Sequence, residues 1–163
     1  MKISNNLYSR LLLVMDGRYA GSSGFFEAVE MARQLSASMH VMVIAQNFLD
    51  SVSQIQSEAL VYEYSVRCGS PLDSDPVILE RVLSYASEVG VAVTGEIVNV
   101  ADPVDDVLKS AQMCNSDAIL VEGRLRQRMS DFFAGSFSDR LIKVAKVPVV
   151  FLSLVDRSTP PRI

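Results

Sequence analysis

Arginines alternate through a loop that closes in Gly-Ser: Glu122 to Ser136 reads EGRLRQRMSDFFAGS, with Arg124, Arg126 and Arg128 at every second position. The stretch follows a short apolar run and precedes a helical pattern that opens at Ser136. Such an arrangement suits an anion. Glycine lets backbone N–H groups approach a phosphate, a helix N-terminus adds the positive end of its dipole, and guanidinium groups add charge-assisted bonds. The competing reading is a solvated charged loop with Ser136 as an ordinary helix cap, and both stay open on these residues alone.

Other reactive side chains are sparse. His40 is the single histidine; it opens a strand pattern at the end remote from the loop, and the sequence pairs it with no Ser or Cys nucleophile. No group of residues has metal-ligand spacing. Cys68 and Cys114 lie far apart without a C-x-x-C and read as unpaired thiols. A phosphoreceiver, which shares a five-stranded parallel sheet, would need an acidic pair near the first strand and a lysine beyond the fifth, and neither stands there.

The 163 residues suffice for one domain with a real core, and 49% hydrophobic content with 21% charge argues for a folded chain. A net charge of -4 argues against nucleic acid or an anionic membrane surface as partner. No apolar run is long enough to span a bilayer, and the one ending at Asp16 is too short for a signal peptide, so a cytoplasmic location is expected. The arginine loop is therefore a local positive patch on an acidic protein.

Strand and helix patterns alternate. RLLLVMD (Arg10 to Asp16) is a continuous apolar run expected of a strand buried on both faces, and helical spacing follows with Phe25, Val29, Ala32 and Leu35 on one side, capped at Ser22 or Ser23. His40 to Gln46 reads as a second strand. Asp75-Pro76 opens a helix that leaves at Gly90, and VAVTGEIVNV is a third strand. Asp102-Pro103 opens the next helix, with Asp105 and Asp106 in its first turn and Val104, Val107, Leu108 and Ala111 facing inward. DAILVEG is a fourth strand, Ser136 and Asp139 form a capping box for a further helix, and Pro148 to Leu154 is a fifth strand. Asn47 to Ser74 reads as a helix plus a long loop. This order predicts an α/β fold, a parallel sheet with helices on both faces, in one domain over 10–154, between an N-terminal extension (1–9) and a tail (155–163). Ligands of such sheets bind outside the carboxyl ends of the strands. Those ends carry Asp16, Ile44 to Gln46, and Glu122 onward.

Three stretches resemble the universal stress protein family: LLLVMDG with the helix behind it, ADPVDDVLKSAQMCNSDAILVEG, and AGSFSDRLIKVAKVPVVFL. The resemblance covers Arg10 to Leu154. It implies a three-layer sandwich whose five-stranded sheet has the order 3-2-1-4-5, and a homodimer, in many members paired through the last strand, here Pro148 to Leu154. Many members bind ATP through G-x2-G-x9-G-[S/T] after the fourth strand. Counting back from Gly135-Ser136 places the first two glycines at positions 122 and 125, where this chain has Glu122 and Leu125.

Those departures shape the expectation. Glu122 sets a carboxylate where the family holds phosphate oxygens, a repulsion of about 1 kcal/mol at 4 Å in water and more at lower dielectric. Leu125 brings a branched side chain to a backbone expected to need positive φ, at a cost on the order of 1 kcal/mol. A register shift onto Gly123, helped by Arg124 and Arg126, would rescue the turn. The resemblance further implies Asp16 on adenine and ribose, against an ordinary Asp-Gly turn, and Ile44 beneath adenine, against a plain core residue. Phe132 and Phe133 read as packing the loop onto the sheet. The leading expectation is a non-catalytic regulatory or protein-interaction module, with no cofactor and weak or no ATP binding. The alternative holds ATP, ADP or AMP through Asp16, Ile44, Gly123, Arg124, Arg126, Gly135 and Ser136, with at most slow hydrolysis. A third is another small anion in the altered pocket.

Overall fold

Every side chain from Leu11 to Met15 is at most 2% exposed. Only a strand covered on both faces reads that way. The computed structural model describes residues 7–16, 24–45, 75–99, 102–122, 125 and 136–152. In chain order they form β1 (Arg10–Asp16), α1 (Gly24–Leu35), β2 (Ser38–Ile44), α2 (Asp75–Glu88), β3 (Val93–Val98), α3 (Pro103–Met113), β4 (Ala118–Val121), α4 (Ser136–Val144) and β5 (Val149–Phe151). The helix and loop expected over Asn47 to Ser74, the cap at Ser22 or Ser23, Cys68, Phe132, Phe133, most of the N-terminal extension and the tail lie outside the described residues.

The five strands form one sheet of order β3-β2-β1-β4-β5, parallel at every pairing. Alternation along β1 divides the core. Leu11, Leu13 and Met15 join Met39, Val41 and Val43 under Phe25, Val29 and Ala32 of α1 and Ile78, Val82 and Ala86 of α2. Leu12 and Val14 join Met42, Ile44, Ile119 and Val121 under Val104, Val107 and Ala111 of α3 and Phe137 and Leu141 of α4. Among the described residues two helices lie on each face, the three layers that the alternation of patterns predicts. Phe25 and Phe26 meet Tyr85 edge-on, with ring centroids 5.9 and 4.7 Å away, which joins α1 to α2. The lack of a side chain at Gly95 lets α2 settle on β3, since a Cβ there would lie 2.5 Å from Leu79 Cδ1 and 3.2 Å from the Val41 carbonyl oxygen.

Three helices end in one way. Ser36 (φ 52), Gly90 (φ 84) and Asn115 (φ 50) are left-handed. The next N–H, of Ala37, Val91 and Ser116, donates back to the carbonyl of Ala32, Ala86 and Ala111, each at 2.9 Å. These are Schellman closures. Element bounds shift slightly from the sequence reading: β2 starts at Ser38 because Arg10 pairs with it across the sheet, and β5 is cut to Val149–Phe151, paired to Ile119, Leu120 and Val121.

Candidate functional site

Sheet order reverses between β1 and β4, so the crevice for a ligand opens at their carboxyl ends. Parallel register brings the expected residues to one rim. Asp16 is opposite Ile44, and Ile44 is opposite Val98. Glu122 follows β4, and its backbone N–H donates to the Val14 carbonyl at 3.0 Å, which sets it beside the end of β1. Ser136 starts α4, whose N-terminus faces the same end because each helix leaves from the carboxyl end of a strand. Ile44 is wholly buried within the core beneath α3 and α4. Gly123, Arg124, Arg126, Arg128 and Gly135 lie outside the described residues.

Leu125 corrects the steric expectation. Its backbone is helical, a right-handed conformation open to any residue, and its side chain is 0% exposed within the core cluster that holds Val104, Phe137 and Leu141. The leucine that replaces a family glycine is a core residue, so no strained left-handed turn is needed for it. Glu122 is also buried, at 1% exposure.

The helix starts around this rim are firmly held. Asp102 caps α3, accepting the N–H groups of Val104 at 3.1 Å and Asp105 at 3.3 Å, with Pro103 behind it. Those bonds, the Asp105 N–H above all, hold the Asp102 carboxyl below its usual range, helped by Arg140. Arg140 Nη2 lies 3.4 Å from Asp102 Oδ2, which ties α4 to the cap of α3. Ser138, in the first turn of α4, has a buried hydroxyl with no hydrogen-bond partner among the described residues. Buried hydroxyls are ordinarily satisfied by protein, water or ligand. Sequence reasoning passed over Ser138; the S-x-S spacing from Ser136 was its one signal.

His40 has partners the sequence did not reveal. Its Nδ1 is 2.7 Å from Thr94 Oγ1, its Nε2 is 3.2 Å from Glu96 Oε1, and Ser110 Oγ donates to that same oxygen at 2.7 Å. The ring thus links Thr94 and Glu96 of β3, and through Glu96 it is joined to the Ser110 hydroxyl of α3. The group lies four residues, roughly 13 Å, along β2 from Ile44 and away from the crevice. Among the described residues no set of three or more His, Cys, Asp or Glu side chains could hold a metal ion, Cys114 is a free thiol, and no helix is long and apolar enough to cross a membrane.

The sequence model for the universal stress protein family matches residues 7–153. The chain belongs to that family. A universal stress protein family member from Burkholderia pseudomallei is similar in structure at 18% identity, with a TM-score of 0.61 over 90% of this chain and 96% of that one. An Arabidopsis thaliana family member with AMP bound is similar at 16% identity, TM-score 0.57, over 93% and 95%. The universal stress protein of Archaeoglobus fulgidus in complex with dAMP gives 16% identity, TM-score 0.54, over 90% and 99%. At these identities the likeness is one of fold. No curated protein matches the sequence.

Proposed function

We propose that this universal stress protein is a non-catalytic regulatory module that binds an adenine nucleotide at the carboxyl ends of β1, β2 and β4. The observation that carries this reading is the placement of Leu125 in the core, which removes the steric half of the case against a working site. Relatives of the same fold hold AMP and dAMP, and the buried Ser138 hydroxyl in the first turn of α4 has no partner among the described residues. Asp16 and Ile44 would meet the nucleoside, and Gly123, Arg124, Arg126, Gly135 and Ser136 the phosphate. A cytoplasmic homodimer paired through Pro148 to Leu154 completes the proposal. Its support is the edge position of β5, where Val150 is 37% exposed.

A second reading, an interaction module without nucleotide, is favoured by one residue, the buried acid Glu122. Calorimetric titration with AMP, then Mg-ATP, at moderate salt separates the two. A Kd below roughly 100 µM, about 5.5 kcal/mol, is expected for AMP. Absence of heat and of any melting shift at millimolar AMP would overturn nucleotide binding and leave the interaction module.

A further inference from the structure

His40 belongs to a relay of side chains that the nucleotide reading does not use. Parallel register sets Thr94 of β3 directly opposite His40 of β2. The Thr94 hydroxyl oxygen lies 2.7 Å from His40 Nδ1, and Glu96 Oε1 lies 3.2 Å from Nε2. Ser110 of α3, itself buried, donates its hydroxyl to that same carboxylate oxygen at 2.7 Å. A hydroxyl within reach of a base that a third group orients is the arrangement that activates a nucleophile. Thr94 is exposed and so within reach of a donor in solution, while the ring behind it is sheltered, the His40 side chain being 20% exposed. From this geometry we infer that Thr94 is an acylation site. Its hydroxyl takes an acyl group from a small activated donor, an acyl phosphate or a thioester, with His40 as base and Glu96 and Ser110 as positioning residues.

Of the two neutral forms of the ring, one donates Nε2–H to the carboxylate and leaves Nδ1 to accept from Thr94. That is the form the reaction needs. Thr94 Oγ1 bonds to the acyl carbon while its proton passes to Nδ1. The bond from that carbon to the donor's oxygen or sulfur breaks, and the donor departs with the electron pair and then the proton from His40. The products are a threonine ester and a free phosphate or thiol, with the ring neutral again. The Ala92 and Val98 carbonyls accept from Met39 and Ala45 on the β2 side, so the intervening Gly95 turns its N–H to the outer edge of the described sheet. There it is a donor for the charge that develops on the acyl oxygen. The reaction runs once per chain, so it adds a modification and not turnover. It stands apart from the nucleotide crevice and does not rest on the reading above.

Incubation of the full chain with acetyl phosphate and, separately, with acetyl-coenzyme A, followed by peptide mass spectrometry, tests the inference. Thr94 is expected to gain one acetyl group, removable by hydroxylamine, from at least one of the two, and the donor that reacts identifies the source. In His40→Gln the rate at Thr94 should fall about a hundredfold, as loss of a positioned base does, while Thr94→Ser should still be acetylated at that position. Nitrogen-15 spectra of the ring belong to His40 without ambiguity, since the chain has one histidine. With the ring neutral they should show the Nε2–H form in the parent and a mixture of forms in Glu96→Gln, which should also react more slowly. Thr94 left unmodified by both donors would overturn the inference. A loss of less than tenfold in His40→Gln would also overturn it, since Thr94 would then react as any exposed hydroxyl does. A ring protonated at Nδ1 in the parent would remove His40 as the base. Melting curves check the fold of each variant. Should His40→Gln not fold, His40→Asn carries the same expectation, and the labelling and ring spectrum of the parent still decide.

Discussion

Asp117 Oδ2 accepts the backbone N–H of Ser9 at 2.7 Å, and with it the Ser9 hydroxyl at 2.9 Å and the Arg10 N–H at 2.8 Å. One carboxylate, placed just before β4, thereby holds the start of β1, the central strand. The bonds from Ser9, its backbone N–H first, keep the Asp117 carboxyl below its usual range. A depressed folded-state value means stability that is present above the unfolded value near 4 and lost as pH falls through the folded one. Asp117→Asn should therefore cost about 1–2 kcal/mol at neutral pH. It should also flatten the decline in melting temperature below about pH 4, and thermal melts from pH 2 to 7 would check both. An equally steep acid decline in the variant would assign that decline to other carboxylates, with Asp102 the next to test.

The helix exits give a pair of opposite predictions. A Cβ at Gly90 would meet nothing within 4 Å, so the cost of Gly90→Ala is that of a left-handed alanine alone, about 1 kcal/mol. Ser36 already carries that cost at φ 52, so Ser36→Gly should gain a similar or smaller amount. Urea unfolding of both variants would measure the two shifts, and equal signs would contradict the account.

Leu125 offers a test of where the altered loop begins. A core leucine truncated to alanine costs about 2–5 kcal/mol, whereas a surface leucine costs within about half a kcal/mol. Denaturant unfolding of Leu125→Ala should fall in the first range. By the same argument Leu125→Gly, which would restore the family glycine, should destabilise the protein before it improves any site.

Much of the fold was legible because the signals were local. Leu11 to Met15 is an unbroken apolar run, and Asp102-Pro103 and Gly90 mark helix ends through their own chemistry. The left-handed exits at Ser36 and Asn115 were not legible, since neither residue demands that conformation and only the packing of the next strand selects it. The site was harder still. Burial of Leu125 and Glu122 depends on elements far away in the chain, so a loop reading gave Leu125 a strain that the helical backbone removes. His40 finds Thr94 and Glu96 only because β3 pairs with β2, more than fifty residues away.

The central claim is that an adenine nucleotide binds at the carboxyl ends of β1, β2 and β4. Backbone amide chemical shifts recorded by NMR during titration with AMP test it most directly. The account predicts shifts clustered at Asp16, Ile44, Ala45, Glu122 and Ser136. It predicts silence at the cavity of about 450 Å³ at the opposite end, lined by Ser36, Ala37, Gly90 and Val91 among others. No shift at millimolar AMP, or shifts confined to that opposite cavity, would contradict it.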